Sequence, residues 1–167
     1  MNKIIEISIV VPVKNGIDTL ERLIKGIQLQ TLFKSTEVVV VDSGSTDGSV
    51  EYLEQFDFVR VIPIDPKTFN HGETRNLAVK HCKGGLILMT VQDAWTDDAQ
   101  LLERMASHFE DSTVAGVNGF QIVPHIKSMN PHKWFRPVGV AKPKKIEFTK
   151  DEFKAMTPEK KFNYCGW

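Results

Sequence analysis

The chain has 167 residues, 41% hydrophobic and 25% charged, enough for one domain of ordinary size with a packed core. Twenty-one basic residues balance twenty-one acidic ones, so the basic excess of a phosphate-tracking nucleic-acid binder is missing. The two cysteines, Cys82 and Cys165, are far apart and form no CxxC pair, which argues against a disulfide framework or zinc site and points to a reducing cytosol.

The first apolar run, residues 7–13, is short and β-branched, ends at Lys14-Asn15-Gly16, and lacks a signal-peptide cleavage site. It predicts a strand buried on both faces. Asp18, with Glu21 three residues on, offers a helix N-cap, and Leu20, Leu23, Ile24 and Ile27 follow at helical spacing. Residues 37–41, nearly all valine, predict a second strand. Ser43-Gly44-Ser45-Thr46-Asp47-Gly48 is a turn leading into a helix through about residue 56. Residues 58–64 predict a third strand and 72–82 a helix, stopped by Gly84-Gly85. Residues 86–91 predict a fourth strand, 97–109 a helix striped by Leu101, Leu102, Met105 and Phe109, and 114–123 a fifth strand or strand pair. This alternation implies an α/β fold, a mainly parallel sheet with helices on both faces.

After Pro124 the character changes: prolines at 131, 137 and 143 interrupt the chain, and apolar periodicity is weak. Only residues 150–162 look partly helical, limited by Pro158. The expected division is a core over 1–124 and an irregular, incomplete region over 125–167, with the domain continuing beyond Trp167. No stretch has the length of a membrane span, which leaves peripheral contact with a membrane open.

In an open α/β sheet, ligands bind beyond the carboxyl ends of the strands. Three such ends are polar: Pro12-Val13-Lys14-Asn15-Gly16, Asp42 through Gly48, and Gln92-Asp93-Ala94; the helix opening Asn70-His71-Gly72-Glu73-Thr74-Arg75 joins them. Asp42 suits a base N–H or a ribose hydroxyl, and Ser43 and Gly44 allow close backbone approach. Arg75 offers a bidentate fork to a carbonyl or diphosphate. Asp93 suits Mg²⁺ or Mn²⁺, which would clamp a diphosphate leaving group. Each has a plainer reading. Asp42 to Gly48 is also an ordinary turn and cap, Asp93 also a cap for the following helix, Arg75 also a surface residue, and His71 a helix-start histidine. His81, His108, His125 and His132 share no metal-ligand spacing. The lysines between 127 and 161 read as a solvated surface.

Taken together these motifs resemble family 2 glycosyltransferases of the GT-A (nucleotide-diphospho-sugar transferase) fold, over about the first three quarters of the chain. Ser8 through Gly16 is similar to the family's opening strand and donor loop, and Val38 through Ser49 to its nucleotide-binding strand and turn. Phe69 through Asn76, then Thr90-Val91-Gln92-Asp93-Ala94 and more loosely Gly119-Phe120-Gln121, resemble its rhamnosyltransferase-like branch. The resemblance implies an inverting transfer, in bacterial polysaccharide or cell-envelope synthesis, from a UDP- or dTDP-linked sugar to a glycan acceptor. The implied setting is cytoplasmic, including the inner face of the membrane. Pro12, Val13 and Asn15 would line the base pocket. Asp42, Ser43 and Asp47 would hold base or ribose, Arg75 the nucleotide, and Gln92 and Asp93 the diphosphate, with Asp93 the metal ligand. The family's metal motif is acid-x-acid or Asp-Asp, so Gln92 departs from it and would help only through its amide oxygen. The family's general base is a carboxylate further downstream, expected beyond Trp167, so this chain is expected to bind donor better than it transfers sugar. A sugar-1-phosphate nucleotidyltransferase would need a glycine-rich Arg/Lys loop where Pro12 to Gly16 stands, and a non-catalytic nucleotide-binding scaffold is the other alternative.

Overall fold

The computed structural model describes residues 6–119 and 145–165, the last four of these by backbone only. They belong to two compact units, Met1–Thr113 and Val114–Trp167.

In the first unit, β1 (Ile7–Val13), β2 (Thr36–Asp42), β3 (Val59–Pro63) and β4 (Leu86–Met89) form one parallel sheet in the order β3-β2-β1-β4. Both faces are covered. Alternate side chains of β1 and β2 (Ile9, Val11, Val13, Val38, Val40) pack with Leu20, Leu23, Ile24 and Ile27 of α1 (Ile17–Gln28), Leu53 of α2 (Ser49–Leu53) and Leu102 of α4 (Leu101–Ser107). Val10, Val39 and Val41 point the other way, with Ala78 of α3 (His71–Val79), Ile62, Ile64 and Cys82. Each fully buried aliphatic side chain contributes about 1.5–3 kcal/mol. This explains why β1 and β2 read as continuous apolar runs rather than alternating ones.

The chain moves outward from β1 through β2 to β3, then returns across the sheet to place β4 on the other side of β1. The point of reversal therefore lies between β1 and β4. The β1–β4 pairing stops at Val10 opposite Met89, although the sequence predicts a strand to 91. The Val10 carbonyl still accepts the Thr90 N–H at 3.0 Å. The next bond on that side would need the N–H that Pro12 lacks, so β4 leaves β1 at the carboxyl edge.

Three other expectations are corrected. Asp18 does not cap α1. Gly16 is the N-cap residue, with no side-chain cap of its own helix, and the free N–H groups find acceptors beyond β2 instead. Asp47 Oδ2 accepts from Ile17 N at 3.0 Å and Ser49 Oγ from Gly16 N at 2.9 Å. Asp18 is left exposed in the first turn, where its charge favours the helix dipole. The second helix ends at Leu53 rather than near 56, since Phe56 and Phe58 are drawn into an aromatic contact at 5.5 Å. Residues 114–119 form no strand, because valine propensity without a paired neighbour does not fix one; 120–123 lie outside the described residues.

In the second unit, α5 (Lys150–Ala155) opens with a capping box between Thr149 and Glu152. Pro158 divides the expected single helix in two by starting α6 (Pro158–Cys165), where its missing N–H is harmless.

Candidate functional site at the carboxyl edge of the sheet

Loops following β1, β2 and β4 meet beyond the sheet's carboxyl edge and are tied by hydrogen bonds. From β2, Asp42 is only 3% exposed. Its Oδ2 accepts from Gly44 N at 2.9 Å and Ser45 N at 3.0 Å, and its Oδ1 from the Ser45 hydroxyl. The turn alternative for Asp42 is thus observed: the carboxylate shapes its own loop. Gly44 adopts φ 80°, and a Cβ there would fall 2.7 Å from Pro66 Cγ, so glycine serves both conformation and clearance. Ser43 donates to the Val13 carbonyl through its N–H at 3.0 Å and its hydroxyl at 3.2 Å.

Asn15, at φ 47°, is held between the loops. Its N–H donates to Ser45 Oγ at 2.8 Å, and its Oδ1 accepts from Thr46 N at 2.9 Å. Asp47 Oδ1 accepts from Ser49 N at 3.0 Å and Ser49 Oγ at 2.6 Å. The Ser49 hydroxyl first, then the N–H groups of Ile17 and Ser49, hold the Asp47 carboxyl below the usual aspartate range. Pro12, half-buried, and Val13, buried, close β1 opposite Val41 and Asp42.

From β4, Gln92 reaches β1. Its Oε1 accepts from Lys14 N at 2.8 Å, and its Nε2 donates to the Lys14 carbonyl at 3.2 Å. Asp93 is exposed, and its carboxylate has no hydrogen bond or ion pair among the described residues. It does not cap the next helix: α4 begins at Leu101, with Asp98 accepting from Gln100 N at 3.0 Å. Arg75 lies half-buried in the second turn of α3, where Nη1 donates to the His71 carbonyl at 2.9 Å. His71 is the first residue of that helix, after the N-cap Asn70.

Lys14 is the residue that motif reading passed over. Its ammonium donates to the Ser43 carbonyl at 2.8 Å and to the Gly44 carbonyl. The signal available in the sequence was its place between a strand-ending proline and Asn15-Gly16. Ser45, Ser49 and Gly16 fall inside the donor-loop and nucleotide-binding motifs, where the sequence assigns them no individual role.

Among the described residues no three His, Cys, Asp or Glu side chains are grouped to hold a metal. Magnesium and manganese need no such cage, since one or two carboxylates, substrate phosphates and waters complete an octahedral shell. The Asp93 carboxylate, exposed in the loop after β4, is of the donor type these cations take. Two cavities lie elsewhere. One of about 400 Å³ is lined by Thr36, Glu37, Asp57, Phe58, Arg60 and Lys83 at the opposite edge of the sheet, and the other is within the second unit.

The family described as glycosyl transferase family 2 matches residues 8–166. The chain belongs to this family. Among curated relatives of this family 2 member is the O-antigen chain rhamnosyltransferase RfbN of Salmonella typhimurium, 34% identical over 127 residues. The match covers 75% of this chain and 40% of that relative, so the chain spans two fifths of its length. The poly(ribitol-phosphate) beta-glucosyltransferase of Bacillus spizizenii is 35% identical over 103 residues, covering 58% of this chain and 16% of the relative. Two solved structures share the fold. S. aureus TarS 1-349 in complex with UDP-GlcNAc superposes with a TM-score of 0.59 at 26% identity, over 72% of this chain and 37% of that one. Mannosyltransferase PcManGT from Pyrobaculum calidifontis, in complex with GDP-Man and Mn²⁺, gives 0.60 at 25% identity, over 65% and 33%. The parallel sheet with helices on both faces is the GT-A arrangement of these neighbours.

Proposed function

We propose that this chain is the donor-binding part of an inverting glycosyltransferase that moves a sugar from a nucleoside diphosphate to a hydroxyl of a glycan. The observation that carries the reading is the meeting of the β1, β2 and β4 loops at the reversal point of the sheet, with exposed Asp93 next in the chain to Gln92. Solved neighbours bound to UDP-GlcNAc and GDP-Man support a nucleotide sugar as ligand.

In this reading Pro12, Val13 and Asn15 form the floor under the base. Asp42 and Ser43 face the base or ribose. A carboxylate has about four acceptor positions, and the Asp42 turn uses three. Asp47 keeps the turn closed against α1. Arg75 offers its guanidinium to a base carbonyl or the diphosphate. Gln92 and Asp93 lie under the diphosphate, with Asp93 as the metal ligand. Bound there, Mg²⁺ or Mn²⁺ supplies the positive charge that stabilises the departing nucleoside diphosphate. Inversion follows if the acceptor hydroxyl attacks opposite that leaving group, and its proton needs a base. Asp42 and Asp47, locked in hydrogen bonds, are not free to accept it. The acceptor is assigned to surface polysaccharide by analogy with the rhamnosyl- and glucosyltransferase relatives. Among the described residues no helix is long and apolar enough to cross a membrane; we place the activity in the cytoplasm, including the inner face of the membrane.

Calorimetry of the 167-residue chain with UDP, dTDP and GDP, each with and without Mn²⁺, tests the reading. Binding of at least one diphosphate, tightened by metal, is expected. Binding of none would overturn it in favour of a non-catalytic scaffold.

A further inference from the structure

Pro12 ends the β1–β4 ladder one step before the residues that would face a donor. What holds β4 to β1 beyond that point is a side chain. The Gln92 carboxamide pairs with both main-chain groups of Lys14, accepting at 2.8 Å and donating at 3.2 Å, as a neighbouring strand would. The Lys14 ammonium then grips the carbonyls of Ser43 and Gly44, the residues directly after Asp42. One residue of the β1 loop thereby joins the loops of β2 and β4. Gly16 makes room for this: a Cβ there would fall 2.9 Å from Gln92 Cδ and Oε1. Gly16 has φ −108°, an ordinary value, so its glycine answers to that clearance and not to backbone strain.

A carboxylate at 92 would keep the acceptor for Lys14 N–H but lose the donor to the Lys14 carbonyl, setting an anion against that oxygen. We propose that Gln92 and Lys14 are positioning residues, a clasp that fixes Asp93 and the Asp42 turn relative to β1 before any donor arrives. The glutamine in the metal motif then marks a different task from ligation. The inference rests on the donor-binding reading for its purpose, but the clasp itself is testable without a donor.

The experiment compares Gln92→Ala, Gly16→Ala and the double variant, with Gln92→Glu as control, by amide hydrogen exchange and by UDP titration with and without Mn²⁺. Gly16→Ala is informative because the three atoms nearest the added methyl all belong to the end of the Gln92 side chain. Loss of one hydrogen bond corresponds to about fivefold. In each single variant the Lys14 amide should exchange about fivefold faster or more, and the gain in UDP affinity from Mn²⁺ should shrink about as much. The double variant should be no worse than either single one, because both break the same contact. Gln92→Glu should not restore the metal-dependent gain, and Lys14→Met should weaken UDP binding, with Lys14→Arg recovering part of it. Unchanged Lys14 exchange in Gln92→Ala, or additive losses in the double variant, would overturn the clasp. If the unmodified chain binds none of UDP, dTDP and GDP, the donor reading fails while the exchange result still decides the clasp.

Discussion

Two aspartates of the β2 loop look alike in the sequence and do different things. Asp42 is buried and closes its own turn, so Asp42→Ala removes a charged acceptor and strands the N–H groups of Gly44 and Ser45. Hydrogen bonds to charged groups are worth about 1.5–3 kcal/mol, and chemical denaturation of Asp42→Ala should show a loss of roughly 2–3 kcal/mol. Asp47 instead supplies an acceptor to the start of α1. Its pKa lies below the usual aspartate value, first through the Ser49 hydroxyl. The folded protein therefore binds fewer protons there than the unfolded chain in acid. The stability this gives is present above about pH 3.9 and is lost as pH falls through the lowered value. Urea unfolding followed from about pH 5 down to pH 2 should show a shallower acid loss in Asp47→Asn than in the unmodified chain. An equal slope in both would show that Asp47 is not linked to folding.

At the scale of elements, α1 is the post to which the segment after β4 is fastened. Gly26 sits so close that a Cβ would lie 2.8 Å from the Thr96 carbonyl oxygen, a backbone atom with little freedom to retreat. Buried Gln30 donates to the carbonyls of Gly26 and Asp98, both at 2.9 Å, and accepts from Leu102 N at 3.0 Å, satisfying the start of α4. The Thr31 N–H donates to the Ala99 carbonyl at 2.9 Å. Overpacking a tight core contact costs about 1–3 kcal/mol, so Gly26→Ala should lower the thermal midpoint despite alanine's better helix propensity. A raised midpoint would mean that the 92–100 segment is free to move off α1. The helical stripe of α1 was readable from Leu20, Leu23, Ile24 and Ile27. What the stripe could not convey is that a glycine on this helix and a glutamine just past its end anchor a loop about seventy residues away.

For the whole molecule, the proposed donor site follows from the reversal of strand order between β1 and β4. Parallel strands put all their carboxyl ends on one edge, and the reversal opens that edge between the two loops that carry Asn15 and Asp93. With one free carboxylate there, metal and diphosphate should depend on one another. Removing divalent ions with EDTA should weaken UDP binding, and Asp93→Asn should abolish most of the difference that Mn²⁺ makes, by about tenfold or more, since charged-group contacts exceed 1.4 kcal/mol. Retention of the full Mn²⁺ effect in Asp93→Asn would place the metal on other residues.

The alternation of four strands with helices, the apolar faces and the family were legible along the chain. Those follow from periodicity and from motifs contiguous along the chain. The runs 7–13 and 37–41 needed no partner to be recognised, because valine and isoleucine on both faces have few other stable uses. The cap of α1, the early end of β4 and the part played by Lys14 came only with the fold. Each depends on which acceptor another loop brings within about 3 Å, and no local pattern encodes that meeting. Asp18 lost the capping role to Asp47, and Gln92 found its partner in the loop after β1, because the fold put a better-placed group in reach.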